Sequence, residues 1–181
     1  MSVDEAAAIL SSRIFMCAVI CAEQVKKSYE KDREEKSEID AWKFWEIILK
    51  FQFLFLHITD RMAFGILGHE KRANFMDILG EITVESTVES AFPSQDPQKK
   101  EQVKKSMFDD LNVSNVDYSK YKKMFAEKNE SHKDTLFWEF GKRLSETVDN
   151  TMDIVYIMLA ISLAVGSLKK LKIADVLERI K

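Results

Sequence analysis

Apolar side chains surround most of a helix-period segment that runs from Trp42 to Leu67, with the sequence WKFWEIILKFQFLFLHITDRMAFGIL. A helix that is apolar on nearly every side must be covered by several neighbours or by lipid, because one partner helix covers only one face. Gly68 follows the segment and suits the left-handed conformation that ends a helix. The pattern therefore predicts a central helix that ends at Gly68.

Helical periodicity resumes after Gly68 and continues to about Ala91. Because the connection is so short, this helix and the central helix are predicted to form an antiparallel hairpin. Upstream, the run from Val3 to Lys31 predicts the first helix, and Ser37 is the predicted N-cap of the central helix. The apolar side of the second hairpin helix consists of Phe75, Ile78, Leu79 and Ile82.

The clearest break in the chain lies at residues 92–97, which contain both prolines. With Asp96 as cap and Pro97 at the first position, the sequence predicts a short helix after this break. A loop is predicted to follow at Asn112–Asn115. The remaining predicted elements are a helix at Val116–Lys128 and a terminal helical turn at Ile173–Ile180. Between them the sequence predicts a long helical region from about Ser131 to Leu171, either continuous or broken near Gly166.

The low content of turn-forming residues favours helices over strands. Five glycines and two prolines in 181 residues are few, whereas β architectures need both residue types at their many reversals. A chain of this length suffices for one hydrophobic core. We therefore predict an all-α fold, a single-domain helical bundle over residues 1–181 with its main break at 92–97. About five to six helices are expected, three of them long.

The charge of the chain is nearly balanced. Its 27 basic and 30 acidic residues are interspersed and give a formal net charge of −3, so we expect no nucleic-acid partner. We interpret Cys17 and Cys21 as reduced, buried thiols, because two cysteines four apart on a helix suit a disulfide poorly. The chain starts with Met-Ser-Val-Asp-Glu, which is acidic where a secretory signal is basic, and we expect a cytoplasmic protein.

One uncharged stretch is relevant to the expected cytoplasmic location. Residues 154–168, IVYIMLAISLAVGSL, carry no charge and are followed by Lys169 and Lys170. A membrane span needs about twenty apolar residues, so we favour a buried core helix. Peripheral attachment to a membrane through residues 154–168 is retained as an alternative.

His57, Asp60 and Arg61 form a compact ionisable group, because residues three and four apart lie side by side on a helix. In the predicted hairpin this group faces the start of the next helix, where Arg72 and Asp77 can pair with it. We interpret the five residues as a structural salt-bridge network and retain a ligand-binding site as the alternative. A helical projection also places His57 and Arg61 in a solvent-facing stripe with Lys43, Glu46 and Lys50.

Metal and catalytic patterns are missing from the sequence. Carboxylates recur every four residues after the hairpin turn, but a dimetal site in a bundle also needs Glu-x-x-His units, and none occurs. We interpret these carboxylates as a solvated acidic face and expect no metal and no cofactor. The sequence also lacks a glycine-rich phosphate loop and a nucleophile elbow, so nothing in it supports an enzyme. The carboxylates are Asp77, Glu81, Glu85 and Glu89.

Three functional hypotheses follow. The leading one is a non-enzymatic interaction or regulatory protein that acts as a homo-oligomer, because two nearly all-round apolar segments exceed what a small bundle covers. A further protein partner is compatible with it. The second is a small-molecule binding protein with an apolar pocket between the second and last long helices and a polar end at His57, Asp60 and Arg61. The third is the membrane attachment through residues 154–168.

Overall fold

The computed structural model describes residues 1–32, 39–127, 130–149 and 152–180. These residues form an all-α bundle, as predicted, and contain no β-strand. A single turn of 3-10 helix at His132–Asp134 precedes the fourth α-helix. The α-helices are α1 (Val3–Asp32), α2 (Ala41–Ala91), α3 (Pro97–Ser119), α4 (Leu136–Asp149), α5 (Ile154–Leu171) and α6 (Ile173–Leu177).

Helix α2 consists of two arms that reverse direction at Gly68. This glycine has φ 74° and ψ −179°, a conformation outside the helical region. Gln52 Nε2 donates a hydrogen bond of 2.9 Å to Thr87 Oγ1. Gln52 and Thr87 are 35 residues apart in sequence, and in one straight helix they would lie roughly 50 Å from each other. The predicted antiparallel hairpin is therefore confirmed, with residues 41–67 as the first arm and residues 69–91 as the second arm.

The first arm is the centre of the bundle. Every residue from 51 to 59 is buried, including the polar residues Gln52 and His57. Phe51 packs edge-on against Phe140 of α4, with ring centroids 5.0 Å apart. Because a fully buried aromatic side chain stabilises a fold by roughly 1.5–3 kcal/mol, this segment supplies much of the core. Helices α1, α3, α4 and α6 pack against α2.

Helices α1 and α5 lie antiparallel and in contact. Near one end of the pair, Arg13 Nη1 donates a hydrogen bond of 3.0 Å to the carbonyl of Leu171. Near the other end, the rings of Tyr29 and Tyr156 lie 6.2 Å apart. The contact therefore extends over most of the length of α5.

Helix α3 is longer than predicted. The predicted loop at Asn112–Asn115 is wrong, and so is the separate helix at Val116–Lys128, because α3 continues without interruption to Ser119. Asn115 and Tyr118 in its last turns pack on the first arm of α2. These contacts stabilise helical backbone where the local residue types favour a loop.

The last long helix is divided in two. Helix α4 ends at Asp149 and α5 begins at Ile154, so the helical region predicted for Ser131–Leu171 is neither continuous nor broken near Gly166. Asp153 caps α5 by accepting a hydrogen bond of 2.8 Å from the amide of Val155. The break lets α5 fold back along α4 and bury apolar surface that a single straight helix would leave uncovered.

Helices α4 and α5 approach each other most closely at Gly141. A Cβ atom added to Gly141 would lie 2.9 Å from both the Cγ2 atom and the carbonyl oxygen of Ile157. Only glycine fits this contact without a shift of one helix. Gly166 does not interrupt α5, which is helical through that position.

Two predicted helix starts can be compared with the structure. Asp96 caps α3 as predicted, since it accepts a hydrogen bond of 2.9 Å from the amide of Gln98. Asp40 caps α2 and accepts a hydrogen bond of 2.7 Å from the amide of Lys43. The predicted cap Ser37 lies outside the described residues.

Candidate functional site

Asp60 and Arg72 form a bidentate ion pair across the hairpin. Arg72 donates hydrogen bonds of 2.7 Å from Nε and 2.6 Å from Nη2 to the two carboxylate oxygens of Asp60. Both side chains are partly exposed at the turn around Gly68. The hydrogen bonds that Arg72 donates to Asp60 raise the pKa of Arg72, so its guanidinium is charged at all physiological pH values. The ion pair is a contact between the two arms of α2.

Arg61 turns away from Asp60 and contacts the end of α3. Its guanidinium donates to the carbonyls of Tyr118, at 3.1 Å, and of Tyr121. The last carbonyls of a helix lack partners within the helix and carry partial negative charge. Arg61 therefore caps α3 and attaches it to the first arm of α2.

His57 is buried beneath α3 and only 4% exposed. Its Nδ1 atom lies 3.3 Å from Asn115 Oδ1, and its ring centroid lies 5.5 Å from that of Tyr118. Burial, with a smaller contribution from the charge of Arg61, lowers the pKa of His57. The predicted solvent-facing stripe is wrong at this position because the last turns of α3 cover it. The other ring nitrogen, Nε2, is buried and has no partner among the described residues.

Asp77 lies apart from the other predicted site residues. It is exposed on the second arm and has no ion pair or hydrogen bond among the described residues. The structure therefore brings together His57, Asp60, Arg61 and Arg72 at one end of the hairpin, but engages them with different partners.

A second polar group surrounds Arg143 of α4, and the sequence analysis did not identify it. Arg143 Nε donates a hydrogen bond of 3.1 Å to Glu139, and its Nη1 lies 3.2 Å from the carboxylate of Asp117. The guanidinium also lies over the ring of Tyr118, 5.5 Å from its centroid. The i,i+4 spacing of Glu139 and Arg143 indicates an ion pair from the sequence alone. Their proximity to α3 cannot be read from the sequence.

A groove of about 460 Å³ opens between the two arms of α2 and helix α3. The five predicted site residues do not line it, although Tyr118 connects it to His57. Among the described residues, α4 and α5 contribute only Arg143 to the lining. The groove therefore lies between α2 and α3, whereas the predicted pocket lay between the second and last long helices. Its apolar lining includes Trp42, Trp45, Leu49, Phe53, Val88, Phe92, Val103 and Met107.

Helices α1 and α5 together expose an apolar surface, here called the outer face. Two helical stretches, Val3–Lys31 and Ile154–Leu177, are long and apolar enough to cross a membrane by length and composition, which is weak evidence by itself. Only 33% of the most apolar part of Ile154–Leu177 is buried, compared with 50% for Val3–Lys31. The exposed residues of the outer face are Met16, Ile20, Ile154, Val155, Met158, Ser162 and Gly166.

The two cysteines face the interior of the bundle. Cys17 and Cys21 are buried and free, and Cys21 Sγ lies 3.2 Å from Ser167 Oγ. Burial raises the pKa of Cys21 to about 11, so its thiol is protonated and unreactive at neutral pH. Among the described residues, no group of three or more His, Cys, Asp and Glu side chains is arranged to hold a metal ion.

Comparison with known proteins gave no match to a protein-family model, to a curated protein or to a solved structure.

Proposed function

We propose that this protein is a non-enzymatic interaction protein that acts as a homo-oligomer and uses the outer face as its contact surface. The observation that supports this proposal is the exposure of large apolar side chains on α5. Ile154, Val155 and Met158 are 54%, 58% and 54% exposed. Contiguous apolar surface of this kind on a folded protein is typical of an interaction site.

The charges at the two ends of α5 suit a second copy of the same chain. Asp153 lies at the start of α5, and Lys169 and Lys170 lie in its last turn, with no charged residue between them. In an antiparallel pair of α5 helices related by a two-fold axis near Ser162, Asp153 of each copy lies beside the lysines of the other. A two-fold interface requires such self-complementarity.

Small residues at the centre of the outer face support the same arrangement. Ser162 and Gly166 lie four residues apart and are exposed, so they occupy one side of α5. A Cβ atom at Gly166 would meet nothing within 4 Å, so nothing within the described chain requires glycine there. Glycine inside a helix costs about 0.5–1 kcal/mol relative to alanine. Close approach of a second helix would account for its presence.

The proposal is tested by sedimentation velocity at micromolar concentration, with Val155→Glu and a matched control, Val116→Glu. Val155 is 58% exposed on the outer face, and Val116 is 63% exposed on α3, outside both the outer face and the groove. We expect the parent chain and Val116→Glu to sediment as a dimer or larger species, and Val155→Glu as a monomer. A monomeric parent chain would overturn the proposal.

A lipid surface is the competing partner for the same face. Flotation of the parent chain with vesicles of phosphatidylcholine, with and without phosphatidylglycerol, distinguishes membrane binding from self-association. We expect the chain to stay at the bottom of the gradient. If the parent chain floats and Val155→Glu does not, the outer face binds membranes, and the homo-oligomer proposal is replaced by peripheral membrane association.

A further inference from the structure

The groove between α2 and α3 has the dimensions of a ligand site. Its volume of about 460 Å³ lies within the range of roughly 300–1,000 Å³ that is typical of small-molecule pockets. Along the first arm, the lining extends from Trp42 to Phe53, a distance of roughly 16 Å at the helical rise per residue. A ligand that fills this groove is therefore elongated rather than compact.

The ionisable residues of the groove favour an uncharged ligand. Lys50 pairs with Glu46 at 3.5 Å, and Arg143 pairs with acidic residues outside the lining. The remaining charged residue in the lining, Asp110, is exposed and adds a negative charge to the groove. Among the described residues that line the groove, no uncompensated positive charge is therefore available for a carboxylate or a phosphate, and the charge of Asp110 repels an anion.

One buried hydroxyl provides a polar contact in the apolar wall. Thr87 lines the groove and is only 2% exposed. Its Oγ1 atom accepts a hydrogen bond of 2.9 Å from Gln52 Nε2, which is itself fully buried. The hydroxyl hydrogen of Thr87 has no acceptor among the described residues. A buried donor without an acceptor is unfavourable, and a ligand oxygen in the groove would satisfy it.

We propose that the groove binds an uncharged, elongated, apolar molecule that carries an oxygen atom able to accept a hydrogen bond from Thr87. The exposed indole of Trp42 at the mouth and the half-buried indole of Trp45 provide large apolar surfaces for such a molecule. This inference is independent of the proposed homo-oligomer, because the outer face and the groove share no residue.

Three fluorescent probes test the proposal with the 181-residue chain. Nile red is neutral and carries a carbonyl oxygen, N-phenyl-1-naphthylamine is neutral and carries no oxygen, and 8-anilinonaphthalene-1-sulfonate is an anion. We expect saturable binding of both neutral probes and at least tenfold weaker binding of the anion. Thr87→Val should weaken Nile red binding about two- to tenfold, the effect of one lost hydrogen bond, and leave N-phenyl-1-naphthylamine unchanged.

A groove-filling substitution locates the bound probe. Ser106→Trp places a large side chain at an exposed position of the lining, so the fold tolerates it, and Val116→Trp is a control outside the groove. The proposal is supported if Ser106→Trp no longer binds either neutral probe and Val116→Trp still binds both. The proposal is overturned by three outcomes: no saturable binding of either neutral probe, binding unaffected by Ser106→Trp, or a signal that disappears in Val155→Glu and therefore comes from the outer face.

Discussion

Arg72 holds the carboxylate of Asp60 with two hydrogen bonds of 2.7 and 2.6 Å, and the pair lies across the reversal at Gly68. The contact joins the end of the first arm of α2 to the start of the second arm. Bidentate pairs of this kind fix geometry as well as add energy, because the planar guanidinium fits the carboxylate in one orientation. Asp60 and Arg72 therefore have an architectural role in the turn.

We expect Asp60→Asn and Arg72→Gln each to lower the free energy of unfolding by about 0.5–1.5 kcal/mol, with a coupling energy of about 0.5–1 kcal/mol. The expected size is modest because both side chains are partly exposed. A double-mutant cycle by urea unfolding measures the coupling. A coupling energy of zero would mean that solvent screens the pair and that Gly68 alone sets the turn.

Gly68→Ala should destabilise the protein by about 1–3 kcal/mol. At φ 74° and ψ −179°, Gly68 occupies a region of backbone space that residues with a Cβ atom rarely adopt. Gly65→Ala is the matched control, since Gly65 is helical, exposed and free of any contact that a Cβ would disturb. We expect Gly65→Ala to raise the free energy of unfolding by about 0.5–1 kcal/mol. Equal effects of the two substitutions in thermal or urea unfolding would contradict this prediction.

Arg61→Gln should loosen the end of α3. The substitution removes the charged contacts to the carbonyls of Tyr118 and Tyr121, and we expect a loss of about 1–2 kcal/mol in unfolding free energy. Hydrogen exchange should accelerate in the last turns of α3 and stay unchanged in the middle of α1. Arg179→Gln serves as a control because Arg179 is exposed. Unchanged exchange in α3 would show that Arg61 does not cap it.

His57 should make the protein less stable as the pH falls below about 6.5. The pKa of His57 in the folded state lies below the ordinary value of 6.5. Just below pH 6.5 the unfolded chain is therefore protonated at His57 to a greater extent than the folded chain, and protonation favours unfolding. Above this value both states hold a neutral imidazole, and the contribution is constant. Replacing His57 with Asn should flatten the pH dependence of the unfolding free energy below about pH 6.5. An unchanged slope would assign the acid sensitivity to other groups.

Gly141→Ala should lower the unfolding free energy by about 1–3 kcal/mol. The new methyl group would lie 2.9 Å from the carbonyl oxygen of Ile157, and a backbone atom cannot move aside as a flexible side chain can. Gly65→Ala is again the control. Unfolding in urea, with the circular dichroism of the folded state as a check on helix content, tests the prediction. A neutral effect would indicate that α4 and α5 separate at little cost.

The hairpin of α2 could be predicted because its signals are local. An all-round apolar run, a glycine and a second periodic run occur in order along the chain, and Gly68 adopts the predicted positive φ. Asp96 and Pro97 identified the start of α3 for the same reason. Caps and helix-ending glycines act on residues within one turn, so their effect is visible in a short stretch of sequence.

The burial of His57 could not be predicted from local signals. The residues around Asn112–Asn115 favour a loop, and a loop there would have left His57 exposed to solvent. In the structure, α3 continues through this segment because Asn115 and Tyr118 contact His57 on the first arm. Long-range contacts between α3 and the first arm therefore determine both the length of α3 and the environment of His57, and local periodicity does not reveal them.

The candidate groove was also hidden by distance along the chain. Trp42 and Thr87 lie on opposite arms of the hairpin, and Ser106 belongs to a third segment. The sequence shows that the first arm is apolar on nearly every side, but only the path of α3 shows which of its side chains line a groove. The ion pairs of Arg143 required the same knowledge of tertiary structure.

The contact between Cys21 and Ser167 joins residues 146 positions apart, and this has a consequence for synthesis on the ribosome. Helix α1 is synthesised directly before α2, and the arms of α2 can cover part of α1 as soon as they have emerged. The side of α1 that carries Cys17 and Cys21 stays uncovered until α5 has been synthesised, after α2, α3 and α4. During that interval two thiols and the surrounding apolar side chains are open to oxidants and chaperones, although the finished fold buries both cysteines.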